Sequence, residues 1–362
     1  MKPVSCRCGA GPAGLLTALA LALLFALGGC ASDAPSDAGD GPGTSAGSGE
    51  LVVYAGRRDV LVGPLVERFQ RETGLRVDVR YGTDAEMLAT LQEEGAASRA
   101  DLFWANTAGA LGAAAEAGLL APLPDSLTAR PTGFVPSSGR WVPLSARFRV
   151  LAYNAARVNE AQLPASVMAL PRQANLRGRI GWTPTYSSFQ DFVTAMRTTQ
   201  GEDAARAWLD GMRALEPRAY PSNGPMIEAL RAGEIDVALT NHYYVLRALF
   251  GADADPSAPP IVAIHSFADG DVGNLALVTG AGVLERARNR EAAHRFLAFL
   301  LGAEAQRFFA EDVFEYPVVE ATALPSYFVP AERVGRLSPA LDFERLGDLE
   351  ATLRLLRDAG LL

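Results

Sequence analysis

Four short polar stretches hold most of the side chains suited to gripping a small charged ligand. They are Gly56-Arg57-Arg58-Asp59, Ala105-Asn106-Thr107, Thr185-Tyr186-Ser187-Ser188 and Asn241-His242-Tyr243-Tyr244. Open α/β sheets bind ligands beyond the carboxyl ends of their strands, and these stretches read as loops at such ends. The last is the most informative. It follows an expected strand over residues 235–240, and Asn241 is placed to cap a helix that begins at His242. On a strand Tyr243 and Tyr244 would face opposite ways. At a helix start they lie about a third of a turn apart, so both phenols can approach one cleft at the positive end of the helix dipole. For an arbitrary tyrosine pair the plainer alternative, one ring in the core and the other on the surface, is preferred.

The elements that must position these loops alternate regularly. Leu51 to Tyr54 is a short buried-strand run, and Leu61, Leu65, Val66 and Phe69 then recur at helical spacing until Gly74. Leu75, Val77, Val79 and Tyr81 alternate as in a strand, and Thr83 with Glu86 forms a capping box for a helix carrying Met87, Leu88 and Leu91. A strand over 101–104 and a helix from Thr107 follow. Further on, helical stripes run through Phe189, Phe192, Val193 and Met196 and through Met226, Ile227 and Leu230. A helix is expected over 242–250, strands over 261–264 and 275–279, and a helix over 286–301. This order predicts an α/β fold with a mostly parallel sheet covered on both faces.

The beginning of the chain bears on where it works. Lys2 and Arg7 precede an uncharged apolar run from Leu15 to Leu27, which leads into Leu27-Gly28-Gly29-Cys30. A charged start, a short apolar run and small residues before a cut describe an export signal. The run is shorter than the about 20 residues that span a bilayer. The ending resembles a lipobox, so residues 1–29 are expected to be a lipoprotein signal peptide and Cys30 the lipidated first residue. Residues 30–50, rich in Ser, Gly, Ala, Pro and Asp, read as a flexible tether. They contain Gly43-Thr44-Ser45-Ala46-Gly47, a formal nucleophile-elbow match that lacks the required strand and helix. Cleavage would remove Cys6, Cys8 and the lone lysine, Lys2, which excludes a disulfide framework and lysine Schiff-base chemistry. Without Lys2 and Arg7, the 33 basic residues become 31 arginines against 41 acidic residues, so no basic face for nucleic acid is expected.

Several segments, taken together and in register, resemble bacterial ferric-ion-binding proteins of ABC importers. They are Val53-Tyr54-Ala55-Gly56-Arg57, Glu93-Glu94-Gly95 with Ser98 to Phe103, and Trp141-Val142 through Arg147, Arg149 and Tyr153-Asn154. Asn241 to Tyr244 and Glu315-Tyr316-Pro317-Val318 complete the set. The resemblance implies a two-lobed periplasmic-binding-protein fold of the type II kind, with a ligand cleft between lobes. It assigns residues 51–150 with about 272–320 to the first lobe, and 151–271 with about 321–362 to the second. Tyr243 and Tyr244 match the paired phenols that ligate Fe³⁺, a hard cation able to deprotonate phenols. Ser187, Ser188, Asn223 and Asn241 match positions that hold a small synergistic anion such as carbonate, phosphate or citrate, and Arg147 and Arg149 match basic residues near the cleft.

Two positions depart from the family pattern. Arg58 stands where some members carry a histidine ligand, and Asn106 where some carry a glutamate ligand. Arginine repels iron and attracts anions. Asp59 and Tyr186 are candidates to complete the metal shell or are solvated loop residues. Of the three histidines, His242 is expected to face away from the site, His294 to lie on a helix, and His265 to end a strand near the hinge. The implied protein is a monomeric lipoprotein of the periplasm or cell surface, handing iron to permease and ATPase subunits and touching the membrane through Cys30. The rivals are a phosphate or phosphonate binder using Arg58, Arg147, Ser187, Ser188 and Asn223, an enzyme on the same fold, and a sensory lipoprotein. Mass spectrometry of the native protein should find an N-terminus at lipid-modified Cys30, and Cys30→Ser should give soluble or uncleaved protein that still binds ligand. A soluble product with unmodified Cys30 would overturn this expectation.

Overall fold

The computed structural model describes residues 50–362 except 133, 253, 255, 256, 258, 259 and 320–322. The expected export signal, Cys30 and the tether as far as residue 49 lie outside the described residues. β1 (Leu51–Ala55) is buried along its whole length, and α1 (Asp59–Thr73) lays Val62, Leu65, Val66 and Phe69 against the sheet. Gly74 stops α1 because the cap adopts φ of 70°, a left-handed conformation that glycine reaches without steric cost. β2 (Val77–Tyr81) leads to α2 (Asp84–Glu94), whose start carries both hydrogen bonds of the expected Thr83–Glu86 capping box. β3 (Leu102–Ala105), α3 (Ala108–Glu116) and the single turn α4 (Asp125–Thr128) precede β4 (Val142–Asn154), thirteen residues long and buried throughout.

The second half runs β5 (Ile180–Trp182), α5 (Ser187–Gln200), α6 (Glu202–Ala214), β6 (Arg218–Ala219), α7 (Asn223–Arg231), β7 (Val237–Asn241) and α8 (His242–Phe250). β8 (Val262–His265), β9 (Ala276–Val283), α9 (Arg290–Leu300), α10 (Ala303–Glu311), β10 (Tyr316–Pro317), α11 (Ala331–Leu337) and α12 (Leu349–Asp358) complete the described chain. The strand order is β2-β1-β3-β9-β4-β7-β5-β6, with β10 and β8 also paired to β4.

The sheet is less parallel than the alternation predicts. β1 pairs in parallel with β2 and β3, and β5 with β6 and β7. Every pair made by β4 or β9 is antiparallel. The cause is β4 itself. Its first part, to Phe148, pairs with β9 and β10, and its second part, from Arg149, pairs with β7 and β8. One strand thus joins two parallel α/β halves by running against both. Each half has its own aromatic core: Phe69, Trp104 and Phe296 meet in one, and Phe189, Phe192 and Trp208 in the other. The C-terminal segment reaches both halves, since residues 343–347 pack on α3 and α12 packs on α5.

Helix α9 begins at Arg290, later than the apolar spacing suggests. Asp101 explains the delay. Its fully buried carboxylate accepts from the backbone N–H groups of Arg288 and Asn289, each at 2.8 Å, and so holds those residues in a turn before the helix. The other oxygen accepts from Val52 N–H at 3.0 Å, tying α9 to β1. Asp101→Ala leaves these donors without their acceptor and should cost about 2–4 kcal/mol in urea unfolding; unchanged stability would show that Asp101 is not a tie.

Candidate metal centre

Three phenols meet at the strand ends of the second half. Asn241 ends β7 and His242 opens α8, so Tyr243 and Tyr244 fall in the first helical turn, with ring centroids 4.1 Å apart. Tyr186 occupies the N-cap position of α5, and its phenolic oxygen lies 3.4 Å from that of Tyr244. Burial pushes the Tyr243 phenol up to about 12, and it pushes Tyr186 and Tyr244 above the usual phenol range. Mutual repulsion adds to the shift, because an ionised Tyr186 would face Tyr244 and an ionised Tyr244 would face Tyr243. All three are therefore neutral at physiological pH in the metal-free protein. Tyr186 and Tyr244 line a cleft of about 450 Å³ together with Arg58, Ser222, Glu228 and Arg247.

Buried cations stand behind the phenols. Arg147 and Arg149 alternate along β4 and so project from the same face. Arg147 donates to Thr279 Oγ1 at 2.8 Å and to the Asn106 carbonyl at 2.6 Å. Arg149 donates to Asn241 Oδ1 at 3.1 Å, to the Leu239 carbonyl at 3.0 Å and to Ser188 Oγ at 3.5 Å. Burial and the neighbouring Arg147 pull Arg149 down to about 9, so it stays cationic at neutral pH. Arg57 makes a two-pronged ion pair with Glu315 at 3.1 Å on each arm. Burial alone would push the Glu315 carboxyl up, but Arg57 and Arg147 hold it at about 2.

Two further buried carboxylates share this floor. Asp84 accepts from Asn106 N–H and Thr107 Oγ1, yet burial raises it to about 6. Asp191 on α5 is raised to about 8 by burial and then by Asp84. Asp84 lies under the first loop because Gly56 leaves room for it. A Cβ on Gly56 would sit 1.7 Å from Asp84 Oδ1. Asp84, Asp191, Thr279 and Arg247 carry no local signal as site residues. Arg247 is on α8, one turn beyond Tyr243, and its guanidinium lies 5.6 Å from the Tyr243 ring centre.

Most of the remaining candidates lie around the phenols, Asn223 acting directly on Tyr244. Asn106 Nδ2 donates to Ser187 Oγ at 3.5 Å, joining loops from the two halves. Asn223 is fully buried and its Oδ1 accepts from Thr240 Oγ1 at 3.1 Å. Asn241 holds the N-cap position of α8 without a side-chain capping bond, contrary to expectation, because Arg149 claims its Oδ1. Asp59 is exposed on the first turn of α1, with Oδ1 accepting from Val60 N–H. His242 faces away from the cleft, as expected, and His265 Nε2 lies 3.0 Å from the Pro164 carbonyl oxygen. Among the described residues no three His, Cys, Asp or Glu side chains gather as a metal site. The first turns of α5, α7 and α8 carry Ser187, Asn223 and Tyr243 and add free N–H groups suited to an anion.

Comparison with known proteins agrees with this architecture. The family model for bacterial extracellular solute-binding proteins matches residues 51–315. A Serratia marcescens protein named Fe(3+)-binding periplasmic protein is 31% identical over 86% of this chain and 90% of its own. The major ferric iron-binding protein of Neisseria gonorrhoeae is 31% identical over 86% of this chain and 93% of its own. Iron-bound HitA from Pseudomonas aeruginosa superposes with a TM-score of 0.78 at 32% identity, covering 86% of this chain and 99% of HitA. A Trichodesmium protein in complex with iron and citrate gives 0.72 at 27% identity, covering 87% of this chain and 100% of that one. The fold is thus the two-lobed one of periplasmic binding proteins, and the chain belongs to the bacterial extracellular solute-binding protein family.

Proposed function

We propose that this chain binds Fe³⁺ with a small synergistic anion in the cleft and delivers it to the permease and ATPase of an ABC importer. Its relatives are named as iron-binding proteins, not enzymes. The observation that carries the reading is the convergence of Tyr186, Tyr243 and Tyr244 beside buried arginines. Three neutral phenols have little affinity for one another at close range, but one trivalent cation can replace their protons and hold the phenolates together. In this reading Tyr243 and Tyr244 are ligands, Tyr186 supplies a third oxygen, and Asp59 approaches only if the first loop moves. Arg58, Arg147, Arg149, Asn106, Ser187, Ser188, Asn223 and Asn241 form the surroundings of the anion. The lobes pivot where β4 changes partners, with 51–150 and about 272–320 on one side and 151–271 and about 321–362 on the other. Cys30, lipidated, holds the protein at the membrane of the periplasm or cell surface as a monomer.

Phenolate bound to Fe³⁺ absorbs visible light, so the loaded protein should be coloured. Tyr243→Phe and Tyr244→Phe remove one donor oxygen each while keeping the ring. Each should shift or abolish the band and weaken iron binding at least about tenfold, with little change in apo stability. Because burial keeps the phenols protonated, iron uptake must expel protons, and affinity measured by chelator competition should fall as pH falls. Colourless wild-type protein in ferric excess ends the iron reading, and colour retained in a destabilised Phe variant makes that tyrosine a core residue.

Arg58 favours dependence on an external anion. It stands at the N-cap of α1 and lines the cleft with its cationic side chain, which cannot ligate a metal. Iron affinity should therefore rise markedly with added carbonate, citrate or phosphate, and Arg58→Ala should reduce that dependence. Equal affinity in anion-depleted buffer would mean that protein oxygens complete the shell. Tight phosphate or phosphonate binding without any ferric response would favour the anion-carrier reading.

A further inference from the structure

A buried backbone N–H at a break in a sheet must find an acceptor. Along one edge of β4, Ser145 and Ala146 face Pro317 and Tyr316 of β10, and residues Arg149 to Tyr153 face Asn241 to Val237 of β7. Between these two ladders no residue of β10 or β7 pairs with Phe148. Its N–H donates instead to a side chain, His242 Nδ1, at 3.0 Å. On the opposite edge the partner changes from β9 to β8 at the same level, where Arg149 N–H donates to the Leu275 carbonyl at 2.9 Å. Phe148 and Arg149 are thus where β4 passes from one half of the molecule to the other.

Both residues grip the start of α8. Arg149 holds Asn241 Oδ1 and the Leu239 carbonyl, and Phe148 holds His242. The next two residues along the chain are the paired tyrosines. The imidazole is 5% exposed and is wedged among Phe148, Tyr243, Tyr316 and Phe328, with ring centres 5.1–6.2 Å away. An imidazole that accepts through Nδ1 is neutral, with its proton on Nε2. A phenylalanine would fill the same space but offer the Phe148 N–H nothing. The residue type therefore answers a need for an acceptor at the crossing point.

We propose that His242 is a positioning residue of the cleft: by replacing the missing strand at Phe148, it clamps the crossing point of β4 to the first turn of α8. Any slip of α8 along β4 would move Tyr243 and Tyr244 together, so the clamp fixes both phenols relative to the pivot. The metal-site part of this proposal rests on the iron reading, while the clamp itself does not.

The test compares His242→Phe, which keeps the ring and removes the acceptor, with His242→Asn, whose Oδ1 occupies the place of Nδ1. Two readouts are used: exchange of the Phe148 amide in apo protein by NMR, and the ferric visible band with chelator-competition affinity. In His242→Phe the Phe148 amide should exchange about a hundredfold faster. Iron should bind about tenfold or more weakly with a displaced band maximum. His242→Asn should restore both to within about threefold of wild type. His242→Leu serves in the same comparison if His242→Phe does not fold. Unchanged exchange in the acceptor-less variant overturns the clamp. Faster exchange with wild-type affinity and band overturns positioning, and an Asn variant no better than Phe overturns the acceptor role. Wild-type protein with no ferric band overturns the metal-site part alone, leaving the exchange result to decide the clamp.

Discussion

β4 is the constraint on which the structure depends. It is buried over all thirteen residues, and it alone among the described strands shares ladders with both halves of the sheet. Its alternation puts Arg147 and Arg149 on one face, where both act on the Tyr243 phenol, and places Phe148 between them at the change of partners. Two arginines buried on one strand face, without a carboxylate in direct contact, are costly to desolvate. Carbonyl, hydroxyl and amide oxygens offset part of that cost: Asn106 O, Leu239 O, Thr279 Oγ1 and Asn241 Oδ1. The remainder is electrostatic capacity held for something negative.

The acids around these arginines do not all cancel them. Glu315 is ionised and already committed to Arg57. Asp191, with its carboxyl raised to about 8, is protonated near neutral pH, and Asp84, at about 6, is only mostly ionised. Asp84 opposes ionisation of Asp191 across the boundary between halves, since Asp84 caps the loop carrying Asn106 and Asp191 lies on the helix carrying Ser188. Closing the cleft without a ligand thus leaves positive charge facing three neutral phenols. Phenolates and an anion are what that field favours, which links the backbone course of β4 to the chemistry of the cleft.

Much of this was legible in the sequence where a local rule governs. The Thr83–Glu86 box, the stop at Gly74 and the helix start at His242 all depend on neighbours within one turn. That helix start allows both phenols to approach one cleft, but it was the family resemblance that marked them as a pair of ligands. Where distant partners decide, local rules fail. Asn241 looks like a helix cap, but Arg149, far away in sequence, takes its oxygen. Asp84 looks like a solvent-facing acid at a helix start, but Gly56 lets the first loop close over it. The start of α9 is delayed by Asp101, and the antiparallel centre of the sheet follows from β4, whose length left no periodic signature of its own.

Arg58 and Asn106 bring these arguments to the chemistry of the load. In the proposed loaded state two phenolates leave a trivalent ion with one positive charge, and a third brings it to neutrality. Arg58 sits at the cleft and weighs against ionisation of no phenol there; it favours the Tyr186 phenolate, as does Arg147. The same charge repels the metal itself, so the net effect depends on what lies between them. An anion bridging Arg58 and the ion converts that repulsion into two attractions, whereas a histidine or glutamate ligand at these positions would bind the ion directly and need no bridge. In the proposed iron site, Arg58 and Asn106 in place of ligands would move part of the affinity from the protein to a diffusible partner. Removal of that partner would then weaken the hold on iron while leaving the phenols in place, which is a natural way to release a tightly held cation.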